Sequence, residues 1–263
     1  MSTLYQDLIK NKTPDIRHLF DMREVIFDKE WLEKQENIEL YYMYRGLGLT
    51  NNDKQKIESA RLRYDITVIP PLTLGKEFNK TAGHYHGDAT KGISYPEIYE
   101  VLEGEAYYLM QSIIKDDSVN NTYFVHAIAG DKVIIPPNYG HFTINAGNKN
   151  LVMANWVCLD CISDYDEVKE KRGACYYAVL SIPNPSQEEN KINWIENKNY
   201  KNIPELKKLN PTNFPEFGLG KDKKMYELVN DLGKLNFLVQ PEKYEKLWKK
   251  ILNQAQASTD KNV

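Results

Sequence analysis

From Arg61 to about Ile182 the chain alternates short apolar runs with turn residues. The runs "YDITVIPP", "EIYEVLEG", "EAYYLMQSIIK", "YFVHAIAG", "DKVIIPP", "GHFTINAG", "LVMANWVCL" and "CYYAVLSIP" are rich in Val, Ile, Tyr and Phe and bounded by Gly, Pro, Asn or Asp. Many short strands at close spacing, with no helical pattern between them, predict an antiparallel sandwich or barrel. "LEGEA" predicts a hairpin turn around Gly104, and "KDDSVNNT" a longer polar one.

The flanks have a different texture. In residues 1 to about 60, "DMREVIFDKEWLEKQ" spaces Met22, Val25 and Ile26 for one helical face. "IELYYMYRGLGL" predicts a strand, and the charged "TNNDKQKIESARLR" a loop or long hairpin connection. From Pro183 onward the chain is polar and lysine-rich. "NPTNFPEFGLGKDKKMYEL" holds aromatics too close together for a plain linker, so it predicts an arm packed on the β core or on a partner subunit. "PEKYEKLWKKILNQAQ" places Tyr244, Leu247, Trp248, Ile251 and Leu252 at helical spacing behind a proline that starts the helix. Three segments result: an N-terminal arm over 1–60, a β-barrel over 61–182, and a C-terminal extension over 183–263 that ends in a helix.

Composition narrows the classes. With 41% hydrophobic and 27% charged residues the chain reads as an ordinary globular protein rather than a disordered one. A net charge of -3 without a long basic block argues against nucleic-acid binding. No apolar run approaches the roughly 18 residues of a membrane span. The N-terminus lacks a basic region followed by an apolar core, so a cytoplasmic location is expected. Cys158, Cys161 and Cys175 cannot all pair with one another. The C-x-x-C of Cys158 and Cys161 lacks the further ligands of a zinc site, and it follows a strand pattern rather than opening a helix. The three are read as inert thiols.

The chemistry lies in "GHYH". In an extended strand His84 and His86 point to one side and Tyr85 to the other. Glu97 follows eleven residues on, and His141 stands after a Pro-Pro-Asn-Tyr-Gly turn. Imidazoles and a carboxylate suit a divalent first-row metal; the alternative is three scattered surface or core histidines. His126 has no motif partner and is read as structural, and His18 as a surface residue.

These segments resemble the paired motifs of the cupin superfamily: an H-x-H with a following Glu and Gly, then Gly130, Pro136, His141 and Asn145. Asn138 stands where a glycine is usual, a position asparagine tolerates because it accepts φ > 0. The gap from His86 to Glu97 is longer than the common cupin spacing, as a loop insertion at the barrel mouth allows. "ITVIPP…GKEFNKTAGHYH", "PEIYEVLEGEAYYLMQ" and "VIIPPNYGHFTINAG" look like the cupin-type glucose-6-phosphate isomerases. The resemblance implies an all-β cupin (double-stranded β-helix, jelly-roll) barrel with helical or irregular extensions. It implies a metal held by His84, His86, Glu97 and His141, with Fe(II) first and Mn(II), Ni(II) or Zn(II) as alternatives. It places the sugar phosphate on Thr67, Thr81, Gly83 and Tyr99, with Tyr165 in a D-Y pair with Asp164, and Lys80 adds charge nearby. Where the family has a tyrosine and a histidine this chain has Val157 and Ser163; Trp156 faces the other side of its strand and does not substitute.

The activity so implied is interconversion of glucose 6-phosphate and fructose 6-phosphate in glycolysis and gluconeogenesis, with Glu97 and Tyr99 as catalytic groups; the C-terminal extension suggests a subunit contact, and a homodimer is the default oligomer. Its rivals are a metal-dependent dioxygenase on the same ligands and a sugar-phosphate binder that has lost the chemistry.

Overall fold

Every residue of the strand Leu151–Cys158 is buried, which a sheet allows only where both faces are covered. Its alternating side chains divide between two apolar clusters. Leu151 and Met153 join one; Val152, Ala154 and Trp156 join the other. The computed structural model that shows this describes residues 3–181 and 192–259, so the expected boundary at 182–183 lies outside the described residues.

The strand is central in a six-stranded sheet ordered Asp15–His18, Glu39–Tyr44, Leu62–Ile69, Leu151–Cys158, Glu97–Glu103 and Lys132–Ile135. All its pairings are antiparallel. A second sheet runs Ile192–Glu196, Tyr176–Leu180, Glu77–Lys80, Tyr139–Asn145, Glu105–Ser112, Thr122–Ile128 and Leu206–Leu209. It is antiparallel except for the last pair. Val101 and Val133 of the first sheet share one cluster with Ala106, Tyr108 and Phe142 of the second. The two sheets therefore face each other around a common interior, and the expected all-β cupin barrel is present.

Gly104 does not make the expected hairpin. Glu103 pairs with Val152 in the first sheet, whereas Glu105 pairs with Ile128 in the second. Gly104 is the corner where the chain crosses between them, at φ +78, and a Cβ there would lie 2.7 Å from the Asn150 carbonyl oxygen. The polar connection after Ser112 does join two antiparallel partners, Glu105–Ser112 and Thr122–Ile128.

The N-terminal region contributes two strands to the first sheet, Glu39–Tyr44 among them as expected. The stretch read as a loop is instead the helix Asn51–Ser59, started by Thr50, whose side chain accepts from Asp53 N. Most of "DMREVIFDKEWLEKQ" is not helical: the end of a 3₁₀ turn, Leu19–Met22, and a short helix, Lys29–Leu32, make up its helical part. Met22, Val25 and Ile26 are nevertheless buried together in the interior.

The C-terminal segment closes the outer face of the first sheet. Phe214, Leu219, Met225, Leu228 and Phe237 pack on Tyr64, Ile98 and Trp156, and the helix Glu245–Thr259 follows. A buried polar clamp sits beneath. The Lys132 ammonium donates to the carbonyls of Gly130, Gly220 and Lys221 and lies 3.2 Å from Glu100, whose other oxygen accepts from Met225 N. Among the described residues no helix is long and apolar enough to cross a membrane.

Candidate metal centre

Both sheets and the segment between their strands supply the donors. Glu97 opens its strand opposite Val157, and Tyr99 stands opposite Asn155, which puts both side chains on the inward face. His141 lies on the facing sheet and exchanges backbone hydrogen bonds with His84. His86 sits in a two-residue strand paired to Ser163. Tyr85 turns away, its hydroxyl donating to the Ser112 carbonyl.

The four side chains converge. His84 Nε2 is 3.1 Å from His86 Nε2. Glu97 Oε2 is 3.2 Å from His141 Nε2 and 3.4 Å from His86 Nε2. All four donor atoms lie within 4.8 Å of one another. Neighbouring ligands on an ion with bonds of about 2.1 Å stand roughly 3 Å apart, so the spacing suits a single small cation.

Hydrogen bonding supports the same fit. His86 Nδ1 donates to the Tyr95 carbonyl at 2.8 Å, which leaves Nε2 as the ring nitrogen facing the pocket. Glu97 Oε1 accepts from Asn155 Nδ2 at 2.6 Å. Glu97 Oε2 is buried without a hydrogen-bond donor, a costly state for a carboxylate oxygen unless a cation faces it. His141 Nδ1 is also buried and unpartnered.

The protonation states follow from burial and neighbours. Burial lowers the pKa of His84, and His141 and His86 add to the effect. Burial also lowers His141, against the pull of Glu97. For Glu97 burial works upward, but the neighbouring His141 and His86 imidazoles outweigh it and hold the carboxyl well below its ordinary range. For His86 burial works downward, and Cys161 and Glu97 outweigh it and raise the imidazole. A cation entering the site displaces that proton.

Thr67, Thr81, Gly83, Tyr99 and Tyr165 line the same pocket as the four donors. Thr81 Oγ1 accepts from Thr143 N at 3.0 Å, which leaves its own proton for a ligand. Gly83 has φ +75, and a Cβ there would fall 1.9 Å from the Phe142 ring. Packing therefore demands glycine whatever binds its amide. The Tyr99 hydroxyl is 3.0 Å from His141 Nε2, among the donors themselves. The Tyr165 ring lies 5.3 Å from His84, with the Arg17 guanidinium over it. Asp164, its neighbour in the D-Y pair, is exposed.

Lys80 is a correction. Its ammonium is buried against the Glu77 carboxylate and the Val25 carbonyl, and it does not line the pocket. His126 stacks on Tyr107 and pairs with Glu105; His18 caps a surface turn with Asp21. Neither lines the pocket. Trp156 points to the outer face and donates to the Met225 carbonyl, while Val157 and Ser163 do line the pocket. Cys158 and Cys175 are buried free thiols, both pushed up by burial. Cys161, half-buried, lines the pocket. Sequence reading missed it in this role, together with Asn155, Arg45, Asp65 and Arg63, which also line the pocket. Alternation from Glu97 across the strand register carries the signal for Asn155, but only once the register is known.

The family described as Glucose-6-phosphate isomerase (GPI) matches residues 16–196. The glucose-6-phosphate isomerase of Thermococcus gammatolerans is 31% identical over 158 residues, 59% of this chain and 75% of that protein. That of Thermococcus litoralis is 28% identical over 62% of this chain and 80% of its own length, and that of Pyrococcus horikoshii 25% over 71% and 88%. Among solved structures, oxalate oxidase with the substrate analogue glycolate gives a TM-score of 0.29 at 20% identity, over 36% of this chain and 41% of that one. Vicilin from Corylus avellana gives 0.35 at 15%, over 49% and 33%. These two likenesses are too slight to bear on function.

Proposed function

The chain belongs to the glucose-6-phosphate isomerase family, and we propose that it interconverts glucose 6-phosphate and fructose 6-phosphate in the pocket where His84, His86, Glu97 and His141 hold one divalent ion. The observation that carries this reading is the convergence of those four donor atoms inside the matched span, with one buried carboxylate oxygen lacking a donor. Imidazole and carboxylate donors suit Fe(II), which we place first, as well as Mn(II), Ni(II) and Zn(II). When bound, such an ion supplies Lewis-acid polarisation of the oxygens on C1 and C2.

The chain's own groups do the rest. The hydroxyls of Thr67 and Thr81 and the amide of Gly83 hold the phosphate, and the hydroxyls of Tyr99 and Tyr165 orient the sugar. Two carboxylates line the pocket. Asp65 is tied to the Arg63 side chain, which supports Glu97 as the group that carries a proton between C2 and C1. A carboxylate that faces a divalent ion is a weaker base, which favours, as the alternative, a direct hydride shift between the same carbons. Turnover in D2O separates the two: the proton route introduces solvent deuterium into product, and the hydride route does not.

We extend the reading to a cytoplasmic homodimer acting in glycolysis and gluconeogenesis. Closed twofold dimers are the commonest oligomers, and the charge on a phosphorylated sugar confines it to the compartment where it is made. The test is a coupled assay on chelator-stripped protein given fructose 6-phosphate, with and without Fe(II) or Mn(II). Glucose 6-phosphate formed only with metal is the expected result. No product with any bound ion overturns the isomerase reading and leaves a sugar-phosphate binder or oxygen chemistry.

A further inference from the structure

We infer that Arg63 contacts the substrate at the C1–C2 end of the sugar phosphate, a role that rests on the isomerase reading above. In the first sheet Arg63 is registered opposite Val157, and Val157 opposite Glu97. Residues directly opposite on neighbouring strands share a face, so the three form one row facing the pocket, and all three line it. Two strand spacings, about 10 Å, separate the backbone of Arg63 from that of Glu97. Val157, between them, is small. A tyrosine at that position would stand in the row between the guanidinium and the carboxylate.

The guanidinium is anchored and incompletely used. Arg63 Nε lies 3.0 and 2.8 Å from the two oxygens of Asp65, and Asp65, itself buried, also accepts from Gly46 N. The anchor takes only Nε. Among the described residues no hydrogen bond reaches Nη1 or Nη2, although the side chain is only 25% exposed. Unpartnered N–H groups in a half-buried pocket wall are free to take an acceptor from a ligand. A planar fork of donors fits two adjacent oxygens, as in a carboxylate or the C1–C2 oxygens of an open-chain sugar. Arg45 is not equivalent: it is 41% exposed, and it spends Nε on Asp15 and Nη2 on the Met43 sulfur.

The strand also sets which end of the sugar Arg63 meets. Thr67 lies four residues further along the same strand and on the same face, about 13 Å away at roughly 3.3 Å per residue. A phosphate held at Thr67 therefore leaves the reacting carbons at the end occupied by Glu97 and Arg63. Arg63 supplies donors at the pocket end where Val157 and Ser163 offer little: Val157 is apolar, and Ser163 is an exposed short side chain.

The test measures binding by calorimetry to metal-loaded protein with three probes: 6-phosphogluconate, whose C1 is a carboxylate; sorbitol 6-phosphate, whose C1 is a hydroxyl; and inorganic phosphate. The variants are R63M, R63K and the double variant R63M/D65N, which removes the carboxylate that R63M strands. Metal content and melting temperature are recorded for each. Loss of a charge-assisted pair weakens binding by roughly 10- to 100-fold. That loss is expected for 6-phosphogluconate in both methionine variants, with a smaller loss for sorbitol 6-phosphate, none for phosphate, partial retention in R63K and unchanged metal content. Binding of 6-phosphogluconate within twofold of wild type overturns the inference, and so does an equal loss for phosphate alone. A wild-type protein that neither binds these sugar phosphates nor isomerises overturns the underlying reading as well, an outcome distinct from an active wild type with an unaffected variant.

Discussion

Asn138 and Ser94 bind each other twice. Ser94 N donates to Asn138 Oδ1 at 2.9 Å, and Asn138 N donates to Ser94 Oγ at 2.7 Å. Asn138 Nδ2 reaches the Gly92 carbonyl as well. Gly92 and Ser94 belong to the segment between His86 and Glu97, which folds as a small hairpin of Asp88–Thr90 on Ile93–Ser94. The two departures from the cupin pattern thus answer each other. The asparagine adopts φ +67, as glycine would, and its amide clasps the longer loop. That loop delivers the Tyr95 carbonyl to His86 Nδ1.

Asn138→Gly keeps the backbone conformation and removes the clasp. With the Tyr95 carbonyl less firmly placed, His86 loses orientation, and metal affinity is expected to fall by about tenfold, in the range of outer-shell losses. Competition with a chromophoric chelator measures this. An unchanged affinity would mean that the loop holds its place without Asn138.

Asn155 holds Glu97 from the other side, through Oε1. Asn155→Leu leaves both carboxylate oxygens without a hydrogen-bond donor in a buried site, which favours the protonated acid. Metal affinity is expected to fall roughly 10- to 100-fold and to become steeper with pH, because protons now compete for the ligand. A chelator titration at two pH values checks both effects.

How much of this was legible in the sequence depends on distance along the chain. The β runs were readable because period-2 alternation and turn residues are local signals, and the four candidate donors came from the resemblance to the paired cupin motifs. Gly104 was misread because a positive-φ glycine between two strands looks the same whether they pair together or cross between sheets. The helix Asn51–Ser59 was misread because it buries only Ile57, too little to print an apolar stripe. Lys80 was assigned to the pocket by proximity to "TAGHYH", but the buried Glu77 draws its ammonium elsewhere. Asn155 and Arg63 depend on register across three strands, which no short stretch encodes.

Asp117 provides a pH test remote from the pocket. Hydrogen bonds from Lys171 and Lys201 hold its carboxyl at about 2, below the ordinary 3.8. A depressed carboxyl contributes stability that is complete above its unfolded pKa and is lost as pH falls through the folded one. Wild type therefore loses this contribution between about pH 4 and 2, and Asp117→Asn is expected to flatten the melting temperature over that window while leaving its trend above pH 5 unchanged. Identical slopes for the two proteins would show that the pair contributes nothing in solution, the usual fate of exposed ion pairs.

Lys132 tests what fastens the C-terminal segment. Its buried ammonium joins Glu100 to the carbonyls of Gly220 and Lys221, and Glu100 in turn holds Met225 N. Lys132→Met removes one charge and strands the other, an imbalance that costs about 3–5 kcal/mol. Burial already raises the pKa of Glu100, with Lys132 the leading opposing influence, so the stranded carboxyl takes up a proton and part of that cost returns at lower pH. Lys132→Met with Glu100→Gln is expected to be less destabilised than Lys132→Met alone, because no buried charge remains and the glutamine oxygen still accepts from Met225. Urea denaturation gives the two stabilities, and limited proteolysis within 218–224 reports whether the segment lifts first. Equal loss in the two variants would mean that the carbonyl contacts of Lys132, rather than its charge pair, fasten the segment.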